Sequence, residues 1–406
     1  MNSTAQTAAQ PWHKVRRIEL DWLRVIAFGL LIFYHVGMLY AYDWGWHYKS
    51  SYSSEFLRNI MLWSNQWRMS LLFLISGVAV SYLLHNMGYW RFYFTRHSKL
   101  FLPLVFGMTV VVVPQVYVEM SAKGLLDGIA YGEFWLAYLD QNSLLFENAK
   151  TSGNLHITWN HLWFLMYIFS YSLILWLLFP LLNAKFIRPL WRHMGESTPI
   201  WCLLVGPIIA FYIIGVFLWE SYPTTHALVD DWYNHAKSFT CFILGFALVR
   251  APRLWTSFAD LRWPTLLAAI VSYAYILFSF NGGSLGEGAF WNHLETFLWG
   301  ANRWLWLVAI IAWAQHSLTT GNPLLKYLNG GVYCFYILHQ TIIVAFAYYL
   351  VPLEIGPVLE PLSVITFTFG FCWLGYELIK RIPLVSALFG VVYKKPVTMK
   401  ASLLAS

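Results

Sequence analysis

Apolar runs of about 20 residues recur along the chain, separated by short polar stretches, and a run that long crosses a bilayer core as a helix. The pattern predicts ten spans, at residues 20–42, 57–84, 100–118, 161–182, 200–219, 232–249, 264–280, 298–316, 332–351 and 362–379. The expected fold is therefore all-α and polytopic. Residues 1–17 read as an N-terminal tail, 18–381 as one membrane domain and 382–406 as a C-terminal tail. Pro114 interrupts the third span, and the longest loop, 119–159, is expected to hold a short helix lying on the membrane. No internal repeat and no soluble domain stands out.

Composition agrees with the pattern. The chain is 59% hydrophobic and 11% charged, against about 25% charged residues in typical soluble domains. The formal charge of +7 does not signal nucleic-acid binding, because its origin is local. The N-terminal tail, the even-numbered loops and the C-terminal tail carry 18 of the 26 Lys and Arg residues. The positive-inside rule then places both termini in the cytoplasm. Residues 1–11 are polar and expected to be disordered. The first span is too long for a signal-peptide core and reads as retained. Cys202, Cys241, Cys334 and Cys372 all sit in apolar runs and read as packing residues.

Polar residues inside spans are the candidates for chemistry, because each is costly there unless it faces protein or a wet cavity. Asp21, Arg24 and His35 mark the first span. Arg24 and His35 are 11 residues apart, hence about 20° apart on one helix face and about 16 Å apart along it. Snorkelling of Arg24 and simple packing of His35 are the bland alternatives. Counted from the predicted cytoplasmic ends, Arg24 is about 6 Å deep, His35 about 22 Å and Arg68 about 24 Å. Arg303 falls five residues into its span from the outside, His161 at the outer edge of its own, and His339 about 10 Å from the cytoplasmic end. Two layers result: an outer one of His35, Arg68, His161 and Arg303, and an inner one of Asp21, Arg24, Arg96, Lys99 and His339.

Such layers suit group transfer across a membrane. The inner cations, with Arg91 beside them in the first basic loop, would hold the phosphates of an anionic carrier; their rival role is purely topological. A buried neutral imidazole near the outer face would take a proton from an incoming hydroxyl, and a nearby Arg would stabilise the oxyanion. The rival function is a transporter or facilitator of a saccharide or small anion. Ion-coupled transport usually shows acids at mid-span and paired broken helices, and no acid falls at mid-span here. The 13 His include no metal-ligand spacing, so no metal is expected.

Several motifs carry a resemblance. Arg24 and His35 match an Arg, ten residues, His signature; Arg68–Gly77 (RMSLLFLISG), His161–Leu165 (HLWFL), Tyr333–His339 (YCFYILH) and Tyr376–Leu384 (YELIKRIPL) follow in order. Together they resemble the membrane acyltransferase-3 family, in its periplasmic-glucan branch, over nearly the whole membrane region. The resemblance implies a multi-pass protein of a bacterial inner membrane. It also implies transfer of an acyl group, succinyl in that branch, from cytoplasmic acyl-CoA to a hydroxyl of an extracytoplasmic glycan. Acyl-CoA is then a donor substrate, with no resident cofactor, and a homodimer is compatible. His35 takes the place of the essential His; Arg24 either contacts the donor or braces the helix. Arg68 joins them as a catalytic candidate, Arg91, Arg96, Lys99 and His339 as donor-binding candidates, and His161 and Arg303 as acceptor-side candidates. A succinyl carboxylate would need a cation in the outer layer, and Arg68 is preferred to Arg303 because its segment also matches. The family's paired arginines appear here as Arg96 and Lys99, which keeps the charge but loses one bidentate fork. Cys334 replaces a late-helix Ser of the O-acetyltransferase branch.

Overall fold

The computed structural model describes residues 12–126, 128–146 and 156–394. The expectation of disorder at 1–11 and the tail lysines Lys395 and Lys400 fall outside them. The helices that carry the argument are α1 (Ile18–Gly37), α2 (Glu55–Asn86), α3 (Tyr89–Ala122), α4 (Tyr131–Leu139), α5 (Trp163–Leu182), α6 (Ile200–Leu218), α7 (Trp232–Leu248), α8 (Arg262–Phe280), α9 (Ala289–Ser317), α10 (Pro323–Leu350) and α11 (Leu359–Ile379). Nine described helices are long and apolar enough to cross a bilayer. The predicted sixth span is α7, the shortest of the span helices at 17 residues. The short helix expected in the longest loop is α4.

The chain divides into two compact units. Among the described residues the first unit comprises 12–42, Ser54–Arg96 and Trp163–Lys326. Its centre is the pairing of α2 with α7, which run parallel. A Cβ on Gly77 would lie 1.9 Å from the Phe242 carbonyl oxygen, and one on Gly245 2.0 Å from that of Leu74. Glycine at both positions lets the two backbones touch, the usual way of packing helices in lipid, where apolar burial gives no drive between them. At the far end Arg250 Nε donates to Ser81 Oγ at 3.2 Å. Helix α1 lies antiparallel on α2, held by the Tyr82 hydroxyl donating to the Val15 carbonyl at 2.9 Å. Helix α9 joins the same unit: Trp306 packs on Trp63 with ring centroids 5.5 Å apart, and Asn302 Nδ2 donates to the Ala269 carbonyl of α8 at 2.9 Å. Phe217, Leu267 and Val271 stay exposed, as side chains facing lipid should.

The second unit comprises Asp43–Ser53, His97–Leu162 and the described residues from Tyr327 onward. It holds most of α3, which carries two wide π-type stretches at His97–Phe101 and Gly107–Val111. Each precedes a proline, Pro103 and Pro114, whose missing N–H breaks the regular hydrogen-bond ladder.

Three expectations are corrected here. The basic stretch with Arg91, Arg96 and Lys99 is helical, not a loop, because Tyr89 and Tyr93 pack on Trp176 of α5, at 4.7 and 4.8 Å between centroids. Arg303 is not five but fourteen residues into its helix, since α9 starts at Ala289. His339 is sixteen residues into α10, about 24 Å along it rather than about 10 Å, since α10 starts at Pro323. In the last two cases the helix runs past the apolar run into polar sequence that hydropathy alone excludes.

Candidate active site

In the first unit the column expected on α1 is present. Asp21 gathers the charges at its lower end: its carboxylate accepts from Arg16 at 2.7 Å and from Arg24 at 3.0 Å. These three residues belong to the lining of an open cavity of about 360 Å³ between α1, α2 and the segment before α1. Its lining includes Lys14, Arg16, Arg17 and Arg24, with Asp21 as the acid among them. Four guanidinium or ammonium groups around one small cavity fit an anionic ligand with several phosphate oxygens. Arg91 and Arg96, of the same unit, do not line it: Arg91 is exposed, and Arg96 lies over the Phe92 ring at 5.1 Å. Lys99, in the second unit, donates to the Gly390 carbonyl at 3.3 Å.

His35 sits in the last turn of α1 and is partly buried. Its neighbour Tyr34 carries the Arg68 guanidinium 3.7 Å above its ring centroid. Arg68 is 3% exposed and also donates to Ser64 Oγ at 3.2 Å. The face of Tyr34 offers the desolvated cation partial negative charge. So α1 and α2 bring together an imidazole, a phenol ring and a buried guanidinium.

Arg303 is 9% exposed, in the same unit, with its guanidinium 5.7 Å from the Phe211 ring. The same unit holds a cation the sequence reading missed, Lys237 of α7, whose ammonium lies 4.5 Å from the Tyr233 ring. It is a cation inside a predicted span, so the rule that flagged Arg68 would have flagged it. Asp231, also missed, is fully buried just before α7. Its oxygens accept from Thr225 N at 2.9 Å, His226 N at 3.1 Å, Asn234 Nδ2 at 2.7 Å and the Tyr167 hydroxyl. That carboxylate pins the α6–α7 connection to α5.

His161 and His339 belong to the second unit and face each other, ring centroids 5.2 Å apart. His161 Nε2 donates to the Ile337 carbonyl at 3.1 Å, and its Nδ1 accepts from Gln115 at 3.4 Å. His339, fully buried, bonds the Tyr336 carbonyl through Nδ1 at 2.7 Å. The His161 bonds join α3, α10 and the entry to α5, while the His339 bond stays within α10. Nearby is a buried pair that the sequence reading assigned to loops. His47 Nδ1 donates to Glu119 at 2.6 Å, and Lys123 donates to the other Glu119 oxygen at 2.5 Å. Glu119 is helical, three residues from the end of α3, and 2% exposed. Gln340 and Asn160 amides close on His47 Nε2 at 3.0 and 3.3 Å. Only the fold shows that these residues meet, because they are scattered from position 47 to position 340. No group of three or more metal-binding side chains gathers among the described residues.

A family model described as an acyltransferase domain matches residues 17–377. The glucans biosynthesis protein C of Salmonella paratyphi B is 22% identical over 392 residues, covering 92% of this chain and 94% of the relative. Its namesake from Escherichia coli K12 is 24% identical over 389 residues, again 92% and 94%. No solved structure matches the chain.

Proposed function

The chain belongs to the acyltransferase-3 family of membrane proteins, and from that membership we propose that it moves an acyl group, succinyl on this reading, from cytoplasmic acyl-CoA to a hydroxyl of a periplasmic glucan. The observation that carries the reading is the α1 column: a basic cavity at Arg24 and, 11 residues on along one face, His35 beside the Arg68–Tyr34 pair. The cavity cations take the phosphates of CoA. Arg24 is their innermost member, which favours contact with the donor over a bracing role.

The chemistry follows from the groups present. His35 accepts the proton of the incoming hydroxyl as its oxygen attacks the thioester carbonyl. Arg68, already desolvated and fixed on Tyr34, faces the negative charge that forms on the carbonyl oxygen. When the tetrahedral centre collapses the carbon–sulfur bond breaks, and the leaving CoA thiolate takes the proton back from the imidazolium. No net proton is released. The relatives' name supplies the acceptor class, a glucan, and the positive-inside charge bias supplies the direction.

The test uses purified protein in liposomes, with labelled acyl-CoA on one side and a neutral glucan on the other. Ester-linked label on the glucan supports the reading. Unmodified substrate crossing the bilayer with no ester formed replaces it with the transporter.

A further inference from the structure

Residues 12–17, which precede α1, supply Lys14, Arg16 and Arg17 to the basic cavity, three of its four cations. The segment has little regular structure of its own, a single 3-10 turn at Trp12–Lys14. Like charges gathered round a small cavity repel one another, so such a stretch needs an anchor to stay in place. The anchor is the end of α2. The Tyr82 hydroxyl donates to the Val15 carbonyl at 2.9 Å, and Asn86 Nδ2 donates to the His13 carbonyl at 2.8 Å. The Trp12 ring packs on His85 and Tyr82, with centroids 4.7 and 5.8 Å away. Tyr82, His85 and Asn86 are three and four positions apart and so share one face of the helix. His85 is itself fixed, its Nδ1 donating to the Ser81 carbonyl at 2.8 Å.

Behind Trp12 stands Arg250, which follows α7. Its Nε donates to Ser81 Oγ at 3.2 Å. Its guanidinium lies 4.0 Å from the Phe246 ring centroid, 4.7 Å from that of Trp191 in the short helix Arg188–Glu196, and 5.9 Å from that of Trp12. Among the described residues Arg250 makes no ion pair, so its charge is spent on aromatic faces. It does not line the cavity. We propose that Trp12 and Arg250 are positioning residues for the donor: Trp12, seated between α2 and Arg250, docks residues 12–17 and so holds Lys14, Arg16 and Arg17 round the phosphates. This inference rests on the acyl-transfer reading. It assigns to two residues that touch no substrate the task of assembling the wall of the donor cavity. The ligand then meets a preformed set of cations and does not have to order the segment itself, a cost that would otherwise be subtracted from its affinity.

The experiment measures kcat and KM for succinyl-CoA, with a neutral glucan acceptor, in Trp12→Ala, Trp12→Phe and Arg250→Gln. Trp12→Ala and Arg250→Gln should raise donor KM at least about fivefold, because only the docked fraction binds. Their kcat should stay within about twofold of wild type, since saturating donor refills the cavity. Trp12→Phe, which keeps a ring on His85, should keep KM within about twofold of wild type. If Arg250→Gln fails to fold, Trp12→Ala decides alone, because that side chain lies on the segment and not in the helix core. An unchanged donor KM in Trp12→Ala, or a fall in kcat at unchanged KM, overturns the assignment. A second measurement does not depend on catalysis. Amide hydrogen exchange over residues 12–17, read by mass spectrometry on nanodisc-embedded protein, should speed up in Trp12→Ala and Arg250→Gln and slow down when CoA is added to the wild type. If no ester forms and CoA leaves exchange unchanged while both variants still free the segment, the acyl-transfer reading fails and the docking contact stands. If esters form but both variants match the wild type in KM and exchange, this inference alone fails.

Discussion

The Arg68 guanidinium lies 3.7 Å from the centroid of the Tyr34 ring, on the residue that precedes His35. A buried cation is thereby held beside a titratable group by a contact between two helices, and its planar shape is part of the contact. Arg68→Lys keeps the charge but loses the stacking and the fork. It should lower kcat by about 10²-fold, the order expected on removing one preorganised oxyanion donor. The KM for acyl-CoA should change little, and succinyl and acetyl transfer should fall together. Loss confined to succinyl transfer would move Arg68 to the acyl carboxylate.

His35→Ala should abolish transfer, by at least about 10²-fold, while the protein stays folded and still binds CoA. Equilibrium binding of CoA to nanodisc-embedded protein separates the two effects. Turnover close to wild type in this variant removes His35 from the mechanism.

The cavity around Arg24 predicts which cations meet the donor. Neutralising Lys14, Arg16 and Arg17 together should raise the KM for acyl-CoA several-fold, with a smaller difference from wild type at high salt as screening takes over. Neutralising Arg91, Arg96 and Lys99 should leave donor KM unchanged, since Arg91 and Arg96 do not line the cavity and Lys99 is tied to Gly390. The reverse pattern would restore the cluster first expected from the sequence.

Gly77 and Gly245 predict a purely structural failure. A leucine at either position drives its side chain into backbone of the partner helix, which cannot move aside as a flexible side chain would. Overpacking of a well-packed interior costs about 1–3 kcal/mol, and a backbone clash should exceed that. Gly77→Leu and Gly245→Leu should therefore lower the unfolding temperature sharply in detergent. A folded variant of wild-type stability would mean that α2 and α7 are not in contact.

Asp231→Ala should also destabilise without touching the chemistry directly. It leaves the buried Asn234 amide without this acceptor, at about 1–3 kcal/mol, and frees the Thr225 and His226 N–H groups, while the Tyr167 hydroxyl keeps the Ala227 carbonyl at 2.7 Å. The measurement is again the unfolding temperature, and an unchanged value would show that water replaces the carboxylate.

The sequence by itself determined the class of fold, the helical spans and the α1 column, because hydrophobic length and the 100° helical repeat are local properties. Arg24 and His35 share a face whatever surrounds them. It also marked Arg68 as exceptional, since a charge within an apolar run is costly in any arrangement. Helix ends were less legible: α9 and α10 extend into polar sequence, which set Arg303 and His339 further along their helices, because packing against neighbours supports turns that lipid alone would not. Partnership was not legible at all. That Arg68 rests on Tyr34, that Asp231 holds Tyr167 and Asn234, and that His47 meets Glu119 follows from which surfaces touch. Those surfaces are chosen by side-chain and glycine packing between segments far apart in the chain, and only the tertiary structure decides that.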